Sequence, residues 1–266
     1  MNEVTDALNT DTDTDSDTAA WLAAAAIDPA VRALRPDYRA LLITAEGLTP
    51  GPSDAVGERL LTAAEETARK WLAEGPVEEH PHLAAWREAF RAFGAKPQRT
   101  RPSAEALLRR AADGLPRVDR LTDIYNAVSV AHVVPLGGED LDHYWGPARL
   151  VRADGTEEFE TAAGGESVVE NPAPGEVVWR DDAGVTCRRW NWRQCVRTRL
   201  THDTTRAFFL LDALGPMDDA ALTAAGDALG EALTESSPGV RLATRIVAAG
   251  DAGDAGDAGD AGDAGA

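Results

Sequence analysis

Residues 115–140 read LPRVDRLTDIYNAVSVAHVVPLGGED, and the rest of the chain is organised around this stretch. It predicts a turn, a helix, a short strand and a glycine-tight acidic corner. Asp119 is the N-cap candidate, because its side-chain oxygen can accept from the free N–H groups of the first turn. Leu121, Ile124, Tyr125, Val128 and His132 then fall on one helical face, the stripe expected to pack inward. Asp123 and Asn126 lie on the opposite face beside Val130. An apolar residue there implies that this second face is also partly covered. A covered Asp and Asn need partners or a ligand, since an unpaired buried polar group costs roughly 1–3 kcal/mol. Residues 133–136 are expected as a strand running into Gly137 and Gly138. Two glycines permit left-handed torsions or a close backbone approach. Glu139 and Asp140 follow at the mouth of that turn.

The chain has 266 residues, enough for one large domain or two small ones, and a formal net charge of −19. Eleven of those negative charges sit in residues 1–20 and 251–266, which hold no Lys or Arg, leaving −8 for the middle. The middle is segregated. Residues 96–120 carry seven Lys/Arg against three acids, and residues 188–206 carry six Arg against Asp203 alone. Screening confines the field of such islands to about 8–10 Å, so an acidic protein can still bind a polyanion through them. The competing reading is surface ion pairing with the many carboxylates. Cys187 and Cys195 form neither a disulfide framework nor a zinc pattern, and no metal or other cofactor is expected. The acidic start is unlike a signal peptide, and the apolar run at 19–27 is too short for a bilayer. A soluble, cytoplasmic protein is the expectation, with no membrane or DNA partner.

Residues 1–20 and 250–266 read as unstructured tails, the second a Gly-Asp-Ala repeat without proline. Between them, residues 21–249 read as one domain. A short helix is expected near 21–26, and a turn followed by a buried strand within 36–44. Ser53 would cap a helix with the stripe Val56, Leu60, Ala64 and Trp71. A second helix would run from His82 through Trp86 and Phe90 to Gly94. Residues 96–102 hold two prolines and are expected to be extended, a basic segment able to follow a phosphate backbone. Ser103 would cap a helix burying Leu107 and Leu108. Beyond Asp140 the period changes, and strands are expected at 148–152, 168–169, 176–179, 184–192 and 207–211. A helix at 217–233 and a strand at 240–247 close the domain. Helices and strands in separate blocks give an α+β class, the helices packed on a mostly antiparallel sheet.

The second informative stretch is residues 185–199, VTCRRWNWRQCVRTR. Read as a strand, it places Cys187, Arg189, Asn191 and Arg193 on one face and Arg188, Trp190, Trp192 and Gln194 on the other. Aromatic faces, amides and planar cationic forks at this density suit a recognition wall. The alternative is that the tryptophans fill core and the arginines snorkel outward. No P-loop, dinucleotide fingerprint or nucleophile elbow is present. An enzyme built this way would position water rather than form a covalent intermediate.

These residues resemble the B3/B4 editing domain of the phenylalanyl-tRNA synthetase beta subunit, and more closely the freestanding bacterial proteins built from that domain alone. The resemblance spans about residues 36–248. It is carried by Gly94, Lys96 and Arg99 in GAKPQR, by Asp123, Tyr125, Asn126 and Ser129 in DIYNAVS, by GGED at 137–140, and by residues 187–199. It implies hydrolysis of a mischarged tRNA in trans, since the synthetase domain removes tyrosine from the phenylalanine tRNA. One freestanding type is linked to removing canavanine from the arginine tRNA. A binding pocket alone rejects a near-isostere by only about 10–200-fold, so a second, hydrolytic sieve is needed.

Two departures bear on the substrate. The synthetase domain has a histidine about where Gly137 stands, and a glycine-rich turn about where residues 190–193 stand, so its tyrosine pocket does not carry over. Glu139 or Asp123 would instead pair with a cationic or guanidinium-like side chain. Glu139 and Asn126 are the catalytic candidates. Asp123, Gly137, Gly138, Trp190, Asn191, Arg193 and Gln194 are the substrate-binding candidates, and Lys96, Arg99, Arg101, Arg188 and Arg189 the phosphate contacts. An Arg193–Glu139 ion pair would leave no free carboxylate. A non-catalytic module that holds a tRNA end or an amino acid is the rival reading. A scaffold with Glu139 and Asn126 satisfied internally is the third.

Overall fold

The computed structural model describes residues 17–248, so the two expected tails lie largely outside the described residues. Helix α1 (17–24) nevertheless starts within the stretch expected to be unstructured. It is followed by β1 (Ala26–Ile27), α2 (Pro29–Leu34) and β2 (Arg39–Glu46). Three helices come next: α3 (Ala55–Glu74), α4 (Pro81–Ala92) and α5 (Ser103–Arg110). The central helix α6 (Arg120–His132) leads into β3 (Leu136–Asp140). Strands β4 (Arg149–Arg152), β5 (Phe159–Ala163), β6 (Glu166–Glu170), β7 (Val177–Arg180), β8 (Val185–Arg188) and β9 (Arg193–Gln194) follow. The long strand β10 (Arg206–Ala213), α7 (Asp219–Ser236) and β11 (Arg241–Ala248) close the chain.

The strands form a four-stranded antiparallel sheet in the order β11-β2-β10-β3 and a five-stranded sheet in the order β1-β4-β7-β8-β9, with β5 and β6 as a separate hairpin. Apart from the parallel β1–β4 contact, all pairings are antiparallel, as the α+β reading requires. β2 and β10 are the two interior strands of the four-stranded sheet and are buried almost throughout. Their side chains alternate between two cores. Ala40, Leu42, Phe208 and Leu210 face a core shared with Trp86, Phe90, Trp179 and Trp190. Leu41, Ile43, Phe209 and Leu211 face a second core with Leu121, Ile124 and Leu229. A third core joins Leu61, Leu83 and Leu108 to Ala127 and Val130.

Helix α6 therefore lies between two cores, and both of its faces are buried, as the lone Val130 implied. Asp119 caps it, with Oδ1 accepting from the Thr122 N–H at 2.7 Å. The helix ends on Val133, a non-glycine residue in the left-handed region at φ 49°, where a strand was expected. Gly137 and Gly138 are strand residues paired with Leu210 and Phe209, not a turn. The close-approach alternative is the one realised: a Cβ on Gly138 would stand 2.8 Å from Phe209 Cε1.

Other local readings shift by a residue or a turn. Asp54, not Ser53, caps α3, accepting from the N–H groups of Val56 and Gly57. The buried stripe of α3 is Gly57, Leu61, Ala64 and Ala68, so Ala64 is as expected, Gly57 and Leu61 replace their neighbours Val56 and Leu60, and Trp71 is exposed. Ser103 is the first residue of α5, behind Pro102, and caps nothing. Residues 96–100 form a turn rather than an extended arm, with the Arg99 and Thr100 N–H groups donating to the Lys96 carbonyl.

Candidate functional site

The 185–199 stretch is a hairpin, not one strand. Strand β8 ends at Arg188, and the chain reverses through residues 189–192 into β9. Arg189 and Trp190 both take left-handed torsions, φ 48° and 69°. Each costs a non-glycine residue about 1–2 kcal/mol. The strict alternation of faces fails there. Trp190 turns into the core, edge-on to Tyr38 and Trp86 at 4.9 and 5.3 Å between ring centroids. The guanidinium groups of Arg189 and Arg193 both lie over the Trp192 ring, at 4.3 and 4.4 Å.

This hairpin forms one wall of a cavity of about 240 Å³ between the two sheets. The other walls come from Ser103, Ala106 and Leu107 of α5, Tyr125 and Asn126 of α6, Leu136, Gly137 and Glu139 of β3, and Leu210 and Asp212 of β10. Trp179, Cys187, Trp190, Asn191, Trp192, Arg193 and Gln194 complete it. Of the residues singled out in the sequence, Asn126, Gly137, Glu139, Trp190, Asn191, Arg193 and Gln194 thus meet around one space. Gly138 lies just behind it, its carbonyl accepting from Gln194 Nε2 at 2.9 Å.

Two buried carboxylates face the cavity. Glu139 is 1% exposed. Its Oε2 accepts from the Tyr144 hydroxyl and, at 3.3 Å, from the Thr198 hydroxyl. Burial pushes its pKa up to about 7 against the pull of these donors. Asp212 was not singled out in the sequence, where it reads as the polar end of an apolar strand. Its Oδ1 accepts from the Tyr38 hydroxyl at 2.5 Å and its Oδ2 from Asn191 Nδ2 at 3.3 Å. Burial raises it, too, to about 7. Neither carboxylate has a Lys or Arg partner among the described residues. The alternative Arg193–Glu139 ion pair is not formed, because Arg193 stacks on Trp192 instead.

Several polar atoms around the cavity lack partners. Asn191 Oδ1 and Ser103 Oγ are buried without a hydrogen bond. So are the indole nitrogens of Trp179 and Trp190, which lie towards Asp212 and Tyr38 without hydrogen-bond geometry. Native interiors leave few such groups, and each has a desolvation cost that a ligand can relieve.

The other sequence candidates lie elsewhere. Asp123 points away from the cavity, towards α3. Its Oδ1 accepts from the Val118 N–H at 2.8 Å, and burial raises its pKa. Arg188 is buried in a fork with Glu176, Nε to Oε1 and Nη2 to Oε2 both at 2.9 Å, with Nη1 on Glu170 at 2.7 Å. It is held inside the protein, away from any phosphate. Arg101 is 3.6 Å from the buried Glu105. Lys96, Arg99 and Arg189 converge on a second cavity of about 290 Å³, with Phe93, Gly94, Thr100 and Glu176.

The family described as B3/4 domain matches residues 85–225, from α4 into α7. No curated protein matches the chain. Among solved structures, the chain is similar to an N-terminal fragment of the phenylalanyl-tRNA synthetase beta-subunit from Pyrococcus horikoshii, at 13% identity and a TM-score of 0.42. That match covers 82% of this chain and 49% of the fragment, so the chain spans about half the fragment's length. Among the described residues, no helix is long and apolar enough to cross a membrane.

Proposed function

The chain belongs to the B3/4 domain family, and from that premise we propose that it is a trans-acting aminoacyl-tRNA deacylase. The observation that carries this reading is the pair of buried carboxylates, Glu139 and Asp212, facing one cavity without a basic partner among the described residues. Such a pair attracts an ammonium or a guanidinium-like group, which supplies the missing cation. An aminoacyl ester always brings an α-ammonium, and an arginine analogue brings a second cation on its side chain. Trp190, Trp179 and Leu210 supply apolar walls for its methylenes, and Asn126, Asn191 and Gln194 supply amides.

Hydrolysis needs a positioned water and a group to take its proton. The Tyr144 and Thr198 hydroxyls both donate to Oε2 of Glu139, and in the proposed step Oε1 takes the water. In the proposed step Glu139 removes a proton from water as the water oxygen attacks the ester carbonyl. The amides of Asn126 or Gln194 donate to the developing oxyanion. The ester C–O bond then breaks, and the ribose oxygen leaves with the proton held on Glu139. Asp212 holds the cationic part of the aminoacyl group. A pKa near 7 suits a general base at neutral pH.

The test is a panel of mischarged tRNAs, canavanyl-tRNA included, incubated with the wild type and with Glu139→Ala. Selective release by the wild type, lost in the variant, supports deacylation with Glu139 in the site. Binding without release from any member of the panel moves the assignment to a non-catalytic module. Equal release by both proteins removes Glu139 from the mechanism.

A further inference from the structure

Most arginines of the two basic islands are consumed internally. Arg109, Arg117, Arg120, Arg197 and Arg206 are ion-paired, as is the buried Arg188. Lys96 and Arg99 are different: among the described residues, neither side chain has a hydrogen-bond or ion-pair partner. Both line the second cavity, together with Arg189. Glu176 is the one carboxylate in that wall, and both its oxygens are taken by the Arg188 fork, leaving Arg189 at 3.7 Å. The cavity is therefore cationic in balance. Arg189 is half buried between Arg188 and Arg193, and burial, with these two like charges, pulls its pKa below the usual arginine value. An anion would relieve that arrangement. A Cβ on Gly94, which lines this cavity, would meet nothing within 4 Å.

The two cavities are lined by adjacent stretches of chain. Lys96, Arg99 and Thr100 line the second, and Ser103 and Ala106, a few residues on, line the first. Arg189 lines the second, and residues 190–194 line the first. A substrate seated by its aminoacyl group in the first cavity would have its ribose and phosphates beside the second if it leaves past the 189–192 turn, which lies between the two linings. We propose that the second cavity binds a backbone phosphate of the tRNA 3′ end through Lys96, Arg99 and Arg189. This rests on the tRNA reading above, and it assigns the polynucleotide a defined seat beside the reaction centre.

The experiment measures affinity of the full chain for an uncharged RNA minihelix ending in a single-stranded 3′ tail, across a salt series. The proteins are the wild type, Lys96→Gln/Arg99→Gln, and Lys70→Gln as a control for loss of an exposed charge on α3. Each phosphate neutralised on a single strand contributes about 0.7 to the slope of log K against log salt, so the double variant, which loses two of the three cations around one phosphate, should lose about 0.7. The control should retain the wild-type slope, and equal melting temperatures would show that all three are folded. An unaltered slope in the double variant, or a loss no larger than the control's, overturns the proposal, as does absence of RNA binding by the wild type. The readout is independent of chemistry. RNA binding with the expected slope loss but no ester hydrolysis keeps the phosphate seat and sinks the deacylase. Hydrolysis with an unaltered slope does the reverse.

Discussion

The Tyr38 hydroxyl donates to Asp212 Oδ1 at 2.5 Å, and the two residues belong to neighbouring segments of one sheet, Tyr38 next to the start of β2 and Asp212 opposite Ala40. The phenol thereby solvates a buried carboxylate that lacks a cation. Tyr38→Phe would leave that oxygen unpaired and should cost about 1–3 kcal/mol, the usual penalty for an orphaned buried acceptor. The loss should be larger at pH 8, where Asp212 is ionised, than at pH 5. Urea denaturation at the two pH values measures it, and an equal loss at both would show that the ionised carboxylate does not depend on the phenol.

The raised carboxylates set a pH dependence of stability. Asp212 ionises near 3.8 when unfolded and near 7 when folded, and Glu139 near 4.5 and near 7. The folded state therefore binds more protons between these values. Stability is highest below the unfolded pKa, falls as pH rises towards about 7, and is level above it. Asp212→Asn and Glu139→Gln should each flatten this fall. Melting curves from pH 4.5 to 8.5 should show a smaller decline in both variants than in the wild type, provided the protein remains folded throughout.

Ester release should follow the base form of Glu139. The proposed mechanism requires kcat/KM to rise with pH through about 7, and Glu139→Gln should lower it by about 10²- to 10⁴-fold. Tyr144→Phe removes a donor to Oε2 and should move the midpoint upward. A pH profile with its midpoint near 4.5 would be incompatible with this buried base.

The paired glycines of β3 should respond differently to the same substitution. A Cβ on Gly138 meets Phe209 Cε1 at 2.8 Å and Leu200 Cδ1 at 3.0 Å, both in packed core. Gly138→Ala should destabilise by about 1–3 kcal/mol, the range for overpacking. A Cβ on Gly137 meets Gln194 Nε2 at 3.0 Å, the far end of a flexible side chain. Gly137→Ala should preserve stability to within about 1 kcal/mol but displace Gln194, impairing substrate release more than the fold. Denaturation midpoints and kcat/KM on both variants would separate the two effects.

Periodicity and caps were enough to read α6, β2 and β10, because these elements are long and bury regular stripes. The α3 stripe was read correctly at Ala64 but followed the larger apolar residues Val56, Leu60 and Trp71, whereas the buried face runs through Gly57, Leu61, Ala64 and Ala68. On that face, small alanines carry the contact with α6. The hairpin at 189–192 was hidden because no glycine, proline or Asx-Gly pair marks it, and the left-handed torsions fall on Arg189 and Trp190. Asp123 and Arg188 were grouped with the site by their neighbours in sequence, but burial elsewhere fixes them. Asp212 was missed because a single acid at the end of FFLLD carries no signal until Tyr38 and Asn191 are placed against it.

The first cavity is built from positions 103 to 212, contributed by both sheets and two helices. No contiguous piece of the chain holds enough of its walls to work alone, and anything seated there touches both sheets at once. Occupancy is thereby linked to the cohesion of the whole domain. A compound at one hundred times its Kd should stabilise the native state by about 2.7 kcal/mol, whatever chemistry it later undergoes. The melting temperature of the intact chain therefore serves as a census of amino acids, their esters and cationic analogues.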